Sequence, residues 1–213
     1  MVVTVLGASG RTGRHIVRLL ARGGYQVRGG LRNRRRASAI ADLAAQPVTA
    51  DLCADPDGLL GAFTGAEVVI NAAGAAGPDP AAVNMIDRDG AIAAIRAAER
   101  AGVRRYIQIS AMFADAPDQG DRLVRSILLA KQVSDNVLRR SSLVWTIVRP
   151  GTLTDERGTG RVTVAGHLRP GRVPRMDVAA VVVASLIERL TENRGFDVHA
   201  GDQPVGTALA HLH

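Results

Sequence analysis

Cysteine and long apolar segments are scarce in this chain of 213 residues, and each scarcity excludes a class of protein. A single cysteine, Cys53, excludes an internal disulfide framework and is typical of a protein kept in a reducing compartment. No apolar run approaches the roughly 18–20 residues that a membrane span needs, and the first residues have the pattern of a strand rather than of a signal peptide. We therefore expect a cytoplasmic protein with no membrane partner.

Aromatic residues make up only 3% of the chain, which weakens the one class of partner that its charge suggests. The formal net charge is +7 and the isoelectric point is about 11.0, values found in many nucleic-acid-binding domains. However, the sequence has no zinc-finger or RNA-recognition signature, and apart from the cluster at 34–36 its arginines are spread along the chain. A basic surface that attracts small anions explains the same charge, and we expect no nucleic-acid partner.

Lysine is almost absent as well. Lys131 is the only lysine among the 27 lysine and arginine residues. A position that keeps lysine in such a chain is consistent with a need for a compact ammonium group on a flexible stem, which a planar guanidinium does not imitate. The alternative is that one surface lysine has survived by chance.

The order of apolar segments predicts the fold. Short β-branched runs alternate with longer amphipathic ones, with predicted strands at 2–6, 26–31, 47–50, 66–71, 105–110, 145–149 and 196–199, and predicted helices at 11–22, 37–45, 56–63, 84–101, 121–140 and 178–190. This alternation predicts an α/β fold over 1–213, namely a single doubly wound Rossmann-type domain with a mostly parallel sheet and helices on both faces. The weakly periodic segments 112–120 and 151–175 follow strands, where ligands bind in such sheets, so both are candidate lids.

A glycine-rich turn joins the first predicted strand to the first predicted helix, and it reads Gly7-Ala8-Ser9-Gly10-Arg11-Thr12-Gly13. In this context Gly7 permits the tight turn, Gly10 lets the backbone approach a pyrophosphate, and Gly13 lets the helix pack closely on the strand. The first backbone amides of the helix would then face the negative charge of the ligand. The turn therefore predicts a dinucleotide site.

No acidic residue follows the second predicted strand, although a site that prefers NAD usually has one there to bind the ribose 2′-hydroxyl. The sequence at 27–36 is instead VRGGLRNRRR. Arginines bind a 2′-phosphate through charge-assisted contacts, so we expect the clamp to consist of Arg32 with one or more of Arg34, Arg35 and Arg36, with Arg11 adding to it. The alternative is a solvated basic turn. The predicted cofactor is NADP(H).

Taken together, the motifs resemble those of the atypical short-chain dehydrogenase/reductases. They are most similar to the small NAD(P)H-binding group that includes the biliverdin and flavin reductases. The resemblance runs nearly end to end and is carried by GASGRTG at 7–13, LRN at 31–33, Asp51-Leu52, Asn71-Ala72-Ala73-Gly74, Ser110, Ala130-Lys131, Val148-Arg149-Pro150-Gly151 and Met176-Asp177-Val178-Ala179.

The resemblance implies a role for each matching position along an extended cofactor. It places Asp51 and Leu52 beside the adenine and residues 72–74 beneath the adenosine ribose. Toward the other end it implies contacts from Ser110 near the nicotinamide, from Lys131 to the nicotinamide ribose, and from Pro150, Gly151 and Thr152 in the nicotinamide pocket; Asn33 and Asn71 complete the cofactor-binding set. Structural alternatives are a helix N-cap for Asp51 and a turn-forming role for Asn71.

A proton donor that the resemblance leads one to expect is missing. Members of the superfamily commonly carry Tyr-x-x-x-Lys, but Ile127 stands four residues before Lys131. The two tyrosines, Tyr25 and Tyr106, fall in or beside predicted strands, and Thr152 stands where the flavin-reductase type has a histidine. A reductase that relies on a side-chain acid is therefore not favoured.

Two functions from different classes remain. The first is an NADPH-dependent reductase that transfers hydride to a flat small-molecule acceptor such as a flavin or quinone, with Ser110 and Lys131 as its catalytic candidates, because solvent can supply the proton for such acceptors. The second is a silent NADP(H)-binding redox sensor or regulatory protein. Epimerase-like or dehydratase-like chemistry on a nucleotide sugar is less favoured, because the tyrosine and a substrate domain are lacking. A homodimer is compatible with either function.

Overall fold

The computed structural model describes residues 1–54 and 56–212. Its strands are β1 (Val2–Leu6), β2 (Gln26–Leu31), β3 (Gln46–Thr49), β4 (Val68–Asn71), β5 (Arg105–Ile109), β6 (Val144–Pro150), β7 (Thr152–Thr154), β8 (Arg161–Ala165), β9 (Arg172–Pro174), β10 (Arg194–Ala200) and β11 (Gln203–Pro204). Its α-helices are α1 (Arg11–Arg22), α2 (Pro56–Phe63), α3 (Pro80–Val83), α4 (Ala91–Arg100), α5 (Arg125–Arg139), α6 (Arg175–Ala184) and α7 (Val205–Ala210).

One large sheet organises the molecule. Nine of the described strands form it in the order β3-β2-β1-β4-β5-β6-β10-β8-β11. All neighbours from β3 to β10 are parallel, whereas β8 and β11 join antiparallel at one edge. The chain winds outward from β1 in both directions, so the carboxyl ends of β1 and β4 flank the switch point where ligands bind in such sheets.

Helices cover both faces of this sheet, which confirms the predicted doubly wound α/β fold. On one face, Ile16 and Leu20 of α1 share an apolar core with Val178 of α6 and with α7. On the other face, Phe63 of α2 and Ile95 of α4 share a second core with α5. No helix among the described residues is both long and apolar enough to cross a membrane.

Several helices differ from the sequence prediction at their ends or in their type. The predicted helix 37–45 is a 3₁₀ helix over Arg34–Leu43, and the predicted helix 84–101 begins with a π turn over Asn84–Gly90 that precedes α4. Helix α5 begins at Arg125 rather than at residue 121, and α6 ends at Ala184 rather than at residue 190. Sequence periodicity reports which face is apolar but not which hydrogen-bond spacing a turn adopts, so these details were not predictable.

The segment 151–175 is not the open loop that its weak periodicity predicts. It contains β7 and β9, which pair with each other in a small parallel sheet, and β8, which pairs antiparallel with β10. Strands of three to five residues are too short to show a clear alternation, and their pairing partners are distant in sequence. The segment 112–120 has no strand and contains one short 3₁₀ turn at Pro117–Gln119.

Gly13 fixes the distance between α1 and β1. A Cβ atom built on Gly13 would overlap the carbonyl oxygen of Gly7, and it would lie 3.1 Å from the Cα of Ala8. Both neighbours are backbone atoms, so they cannot move aside as the tip of a flexible side chain would. The first helix can therefore approach the first strand this closely only with glycine at position 13.

We expect Gly13→Ala to lower the free energy of unfolding by about 2 kcal/mol or more, because overpacking in a tight core typically costs about 1–3 kcal/mol. Denaturant unfolding of the ligand-free protein measures this loss. Gly61→Ala is the matched control, because a Cβ at this position of helix α2 meets nothing within 4 Å. The control should gain about 0.5–1 kcal/mol from the higher helix propensity of alanine. Equal stabilities of the two variants would contradict the packing argument.

Candidate functional site

The glycine-rich turn leaves an open backbone surface at the carboxyl end of β1. Gly7 has a φ of +69°, and a Cβ on it would lie 2.8 Å from the Cα and N of Ala73, so the turn needs glycine there. The amide of Gly10 donates to the carbonyl of Gly7 at 2.9 Å. A Cβ on Gly10 would meet only that same carbonyl, at 3.1 Å, and no side chain caps the start of α1. Backbone amides there are free to bind an anion, which fits the pyrophosphate of a dinucleotide.

A cavity of about 330 Å³ opens next to this turn. Ten residues predicted from the sequence line it together, namely Gly7, Ser9, Gly10, Arg32, Arg36, Asp51, Leu52, Ala72, Ala73 and Gly74. Five further lining residues were not predicted, namely Gly30, Ala50, Cys53, Ala76 and Ile86. The structure thus gathers residues from four loops and strand ends into one continuous cleft that fits an adenosine and a pyrophosphate.

The basic turn after β2 contributes two arginines to the cavity, Arg32 and Arg36. The backbone amide of Arg35 donates to Oδ1 of Asn33 at 2.9 Å, so Asn33 caps the 3₁₀ helix at 34–43. The side chain of Arg34 lies outside the part of the chain that the structure describes. The phosphate clamp itself stays a prediction.

Arg11 does not join this basic turn. Its guanidinium pairs with Oδ2 of Asp155 at 2.8 Å, and Oδ1 of the same carboxylate pairs with Arg175 at 2.7 Å. These two ion pairs connect the starts of α1 and α6 to Asp155, the residue after β7. The expected contribution of Arg11 to a 2′-phosphate site is therefore not supported by its position, while Thr12 lies half-buried in the first turn of α1.

Two polar residues shape the backbone of the cleft, Asp51 in its lining and Asn71 directly before the lining residues 72–74. Oδ1 of Asp51 accepts a hydrogen bond from the amide of Cys53 at 3.0 Å, and Oδ1 of Asn71 accepts one from the amide of Ala73 at 3.1 Å. Asp51 thus stabilises a turn rather than capping a helix, and Asn71 has the turn-forming role given above as its alternative. Partial burial, followed by the charge of Asp51, raises the pKa of the Cys53 thiol, so this cysteine is not an activated nucleophile.

Lys131 is a buried residue and not a surface one. Only 7% of its side chain is exposed, and its ammonium group lies 2.9 Å from Oδ1 of Asp87. The same group donates to the carbonyl of Ile109 at 3.1 Å. Two of its three protons are thereby used. Contact with the nicotinamide ribose stays a prediction.

Asp87, which was not predicted, links Lys131 to the wall of the cavity. Its second oxygen, Oδ2, accepts a hydrogen bond from the amide of Ala75 at 2.9 Å. A Cβ on Gly74 would lie 3.1 Å from Oδ1 of Asp87, so the two segments are in close contact. The π turn at 84–90 brings this aspartate inward, and a sequence that reads as a regular helix gives no signal of it.

Ser110 belongs to a second buried polar group at the carboxyl end of β5. Its hydroxyl lies 2.6 Å from Oδ2 of Asp135, and Nε2 of Gln108 lies 2.7 Å from Oδ1 of the same carboxyl. Asp135 is 1% exposed. Burial is the largest influence on this carboxyl and raises its pKa, against the opposing effect of the bonds from Ser110 and Gln108.

Helix α5 presents these polar residues on the stripe that packs against the sheet. Leu128 and Leu138 lie on this stripe, as do Lys131, Ser134 and Asp135 between them. The spacing of three and four residues places all of them on one helix face. The sequence signal for Asp135 was that three polar residues share a face of the helix with buried leucines. The sequence prediction considered only Lys131 of these three.

The residues expected at the nicotinamide lie beyond the cavity, at the carboxyl ends of β5 and β6. The amide of Ser110 donates to the carbonyl of Val148 at 2.8 Å, which places Ser110 beside the exit of β6. Pro150 ends that strand and is buried, Gly151 is half-buried, and Thr152 is exposed at the start of β7. The structure therefore brings Ser110 close in the fold to residues 150–152.

Arg149 ties the two candidate lids to the sheet. Its side chain is 3% exposed and pairs with Oδ1 of Asp197 at 2.7 Å. The same guanidinium also binds the carboxylate of Asp115 in segment 112–120 and the carbonyl of Gly166 in segment 151–175. One buried cation thus anchors both segments at the same place.

No tyrosine replaces the missing proton donor. Tyr106 lies within β5 with 0% exposure, and burial raises its pKa above the usual range. Tyr25 precedes β2, at the edge of the sheet opposite the cleft. Ile127 occupies the first turn of α5, one helical turn before Lys131.

Comparison with known proteins identifies relatives along the full chain. A family of NAD(P)H-binding domains matches residues 7–189. The chain is 36% identical to the uncharacterized sugar epimerase YhfK of Bacillus subtilis over 100% of both proteins. It is 34% identical to the photosystem II assembly factor Ycf39 of Cyanophora paradoxa, over 92% of this chain and 62% of that protein. It is also 34% identical to the ceramide reductase of Caulobacter vibrioides, over 70% of this chain and 45% of that protein.

Solved structures share the fold. A Bacillus halodurans protein described as an NAD-dependent epimerase/dehydratase superposes with a TM-score of 0.93 and 35% identity over 100% of both chains. ChuY, an anaerobillin reductase from Escherichia coli O157:H7, superposes with a TM-score of 0.82 and 23% identity over 95% of this chain and 98% of its own. A Veillonella parvula short-chain dehydrogenase/reductase in complex with NADP superposes with a TM-score of 0.75 and 19% identity, over 95% of this chain and 96% of its own.

The chain therefore belongs to the NAD(P)H-binding family, as the resemblance of its motifs to the atypical short-chain dehydrogenase/reductases indicated. The two structures below 25% identity support the fold alone.

We expect Asp87→Ala to lower the free energy of unfolding by about 3–5 kcal/mol, because it leaves the buried ammonium of Lys131 without a counter-charge. Asp89→Ala is the matched control on the same π turn, since Asp89 pairs with Arg88 at the surface. Exposed pairs contribute little, so the control should lose much less stability. Thermal and denaturant unfolding of the ligand-free proteins give both values. Similar losses in both variants would show that the Asp87–Lys131 pair is not a significant support of the fold.

Proposed function

We propose that this protein is an NADPH-dependent oxidoreductase that transfers hydride to a flat acceptor such as a flavin or a quinone. The observation that carries the proposal is the cleft itself. A side-chain-free backbone at Gly10 adjoins Arg32 and Arg36, and no carboxylate follows β2. This combination suits a dinucleotide with an additional phosphate on its adenosine ribose.

The chain's own residues divide into three groups along such a cofactor. Asp51 and Leu52 would hold the adenine, the amides after Gly10 the pyrophosphate, and Lys131 the nicotinamide ribose. The nicotinamide supplies a hydride when it is bound, and the protein supplies binding, orientation and exclusion of water. Ser110 is the polar side chain best positioned to contact the reacting end, because it stands beside the exit of β6.

The nature of the acceptor is inferred from Ile127, which stands four residues before Lys131 where a tyrosine would donate a proton. Ile127 cannot transfer a proton, and general acid catalysis typically contributes about 10²–10⁴-fold to a rate. Simple ketones and aldehydes depend on such a donor more than flavins and quinones do. Ceramide reductase and the anaerobillin reductase ChuY show that named reductases occur among the relatives and the structural neighbours.

A second candidate function is an NADP(H)-binding sensor without turnover. Ile127 favours it as well, because this residue stands in place of the proton donor that a reductase commonly uses. Relatives named as epimerases match the chain over its whole length, yet sugar epimerisation is less favoured here. The described part of the chain places no tyrosine hydroxyl at the cleft to exchange a proton with a sugar.

We expect the protein to bind NADPH at least about tenfold more tightly than NADH. A hydrogen bond to a charged group contributes about 1.5–3 kcal/mol, and each 1.4 kcal/mol is about a factor of ten in affinity. Arg32→Ala should weaken NADPH binding roughly tenfold and leave NADH nearly unchanged. Fluorescence titration or calorimetry with both dinucleotides measures these affinities.

The control for this prediction is Arg104→Ala, which removes the same charge from an exposed position at the opposite edge of the sheet. It should leave both affinities unchanged. Equal binding of NADPH and NADH by the unaltered protein would overturn the assignment of the basic turn.

A panel of flavins, quinones and small carbonyl compounds, assayed for NADPH oxidation, tests the proposed activity. We expect saturable oxidation with a flavin or quinone and slow or absent oxidation with simple ketones. Robust turnover of a ketone would refute the argument from the missing acid. Tight NADPH binding without oxidation by any member of the panel would favour the sensor.

A further inference from the structure

A buried carboxyl group that no element of the proposed function uses lies directly behind Ser110. Asp135 approaches the Ser110 hydroxyl at 2.6 Å through Oδ2 and the Gln108 amide at 2.7 Å through Oδ1. Both partners are neutral. Ser110 is itself 5% exposed and stands at the carboxyl end of β5, so it is the one member of this group that adjoins the expected nicotinamide end.

We propose that Asp135 stores a proton and delivers it through the Ser110 hydroxyl to the flat acceptor, in place of a proton taken directly from solvent. This inference rests on the proposed reductase function and adds a proton source within the protein to the solvent that such acceptors can use. Asp135 acts through Ser110 and need not touch the acceptor itself.

The charge balance around Asp135 favours its neutral form. Lys131, on the same helix, is already paired with Asp87 at 2.9 Å, so its charge is compensated. Arg139 donates to Oδ1 of Asn136 at 3.0 Å on a partly exposed side of the helix. A fully buried carboxylate without a cation of its own is costly, and it lowers this cost by keeping its proton.

Charged groups on the other elements that pack against α5 have partners elsewhere. Glu99 of α4 accepts hydrogen bonds from Ser142, and Asp118 of the short turn at 117–119 pairs with Arg125. Arg149 of β6 is held by Asp115 and Asp197. Burial is the largest influence and raises the pKa of Asp135, whereas the hydrogen bonds from Ser110 and Gln108 and the charges of Lys131 and Arg139 oppose it.

The hydrogen bonds permit the transfer in one step. A protonated Asp135 donates from Oδ2 to the Ser110 oxygen, which frees the serine proton for a ligand atom. As hydride reaches the acceptor, the heteroatom that gains electron density takes the Ser110 proton, and the serine oxygen takes the proton of Asp135. The acceptor thereby gains one hydride and one proton, Asp135 becomes a carboxylate, and solvent returns one proton to it before the next turnover.

The first test measures the proton in the ligand-free protein and needs no activity. Asp135→Asn preserves the shape and both hydrogen bonds of a protonated aspartate but does not titrate. In the unfolded chain an aspartate loses its proton near pH 3.9. If the folded protein retains it above that pH, then the folded state binds more protons than the unfolded state, and wild-type stability falls as pH rises.

The melting temperature of Asp135→Asn should therefore increase relative to wild type as pH is raised from about 5 to about 8. Asp202→Asn, which removes one exposed carboxyl between β10 and β11, is the control and should show a constant difference over this range. A constant difference for Asp135→Asn as well would mean that the carboxyl is ionised throughout, which overturns the proposal.

The second test uses turnover with the acceptor found in the panel. Asp135→Asn should lower kcat about 100-fold with an unchanged Kd for NADPH, and it should abolish the decline of kcat at high pH that the relay predicts for wild type. Ser110→Ala should have a loss of similar size. The double variant should be no slower than the slower single variant, because the two groups act as one unit.

These outcomes separate the relay from the proposed function. Wild-type turnover together with an unaltered kcat and pH profile in Asp135→Asn overturns the relay alone. Failure of wild type to oxidise NADPH with any acceptor overturns the proposed function and the relay together, while the melting temperatures still report the buried acid. Independent losses that multiply in the double variant would mean that Ser110 and Asp135 do not share a proton.

Discussion

The close approach of helix α1 to strand β1 is the constraint on which the cleft depends. Gly13 has no room for a Cβ atom against the carbonyl of Gly7, and Gly7 has none against the backbone of Ala73. These two contacts set the position of the first helix relative to the carboxyl ends of β1 and β4. The amides at the start of α1 therefore face the same space as residues 72–74, and a ligand that spans the switch point meets both.

Most of the sheet was predictable, because its central strands are buried on both faces and read as apolar runs. Each predicted strand corresponds to a strand of the large sheet, and the glycine-rich turn lies where its spacing indicates. The strands β7, β8, β9 and β11 were missed because strands of two to five residues depend on partners that are distant in sequence. The ion pair of Arg11 was not predictable for a related reason: its partner, Asp155, is 144 residues away in sequence.

The polar interior was less predictable than the cleft. Lys131 stood out by its rarity, but rarity does not reveal which group compensates its charge. Asp87 points inward because of a π turn that the sequence does not predict. The burial of Asp135 depends on which face of α5 packs against the sheet. Asn71, Gln108, Ser110 and Asp135 form a chain of contacts across the ends of β4 and β5, so this end of the sheet is held by polar groups as well as by apolar packing.

Arg149 joins segments 112–120 and 151–175 into a single body at the carboxyl end of β6. Its guanidinium is bound to Asp115, Gly166 and Asp197 at once, so lifting either segment requires several charge-assisted bonds to break together. Bulk salt has little access to these bonds because the side chain is buried. The two segments are thus held at a fixed separation where they meet Arg149, and neither can move there without breaking bonds that also involve the buried guanidinium.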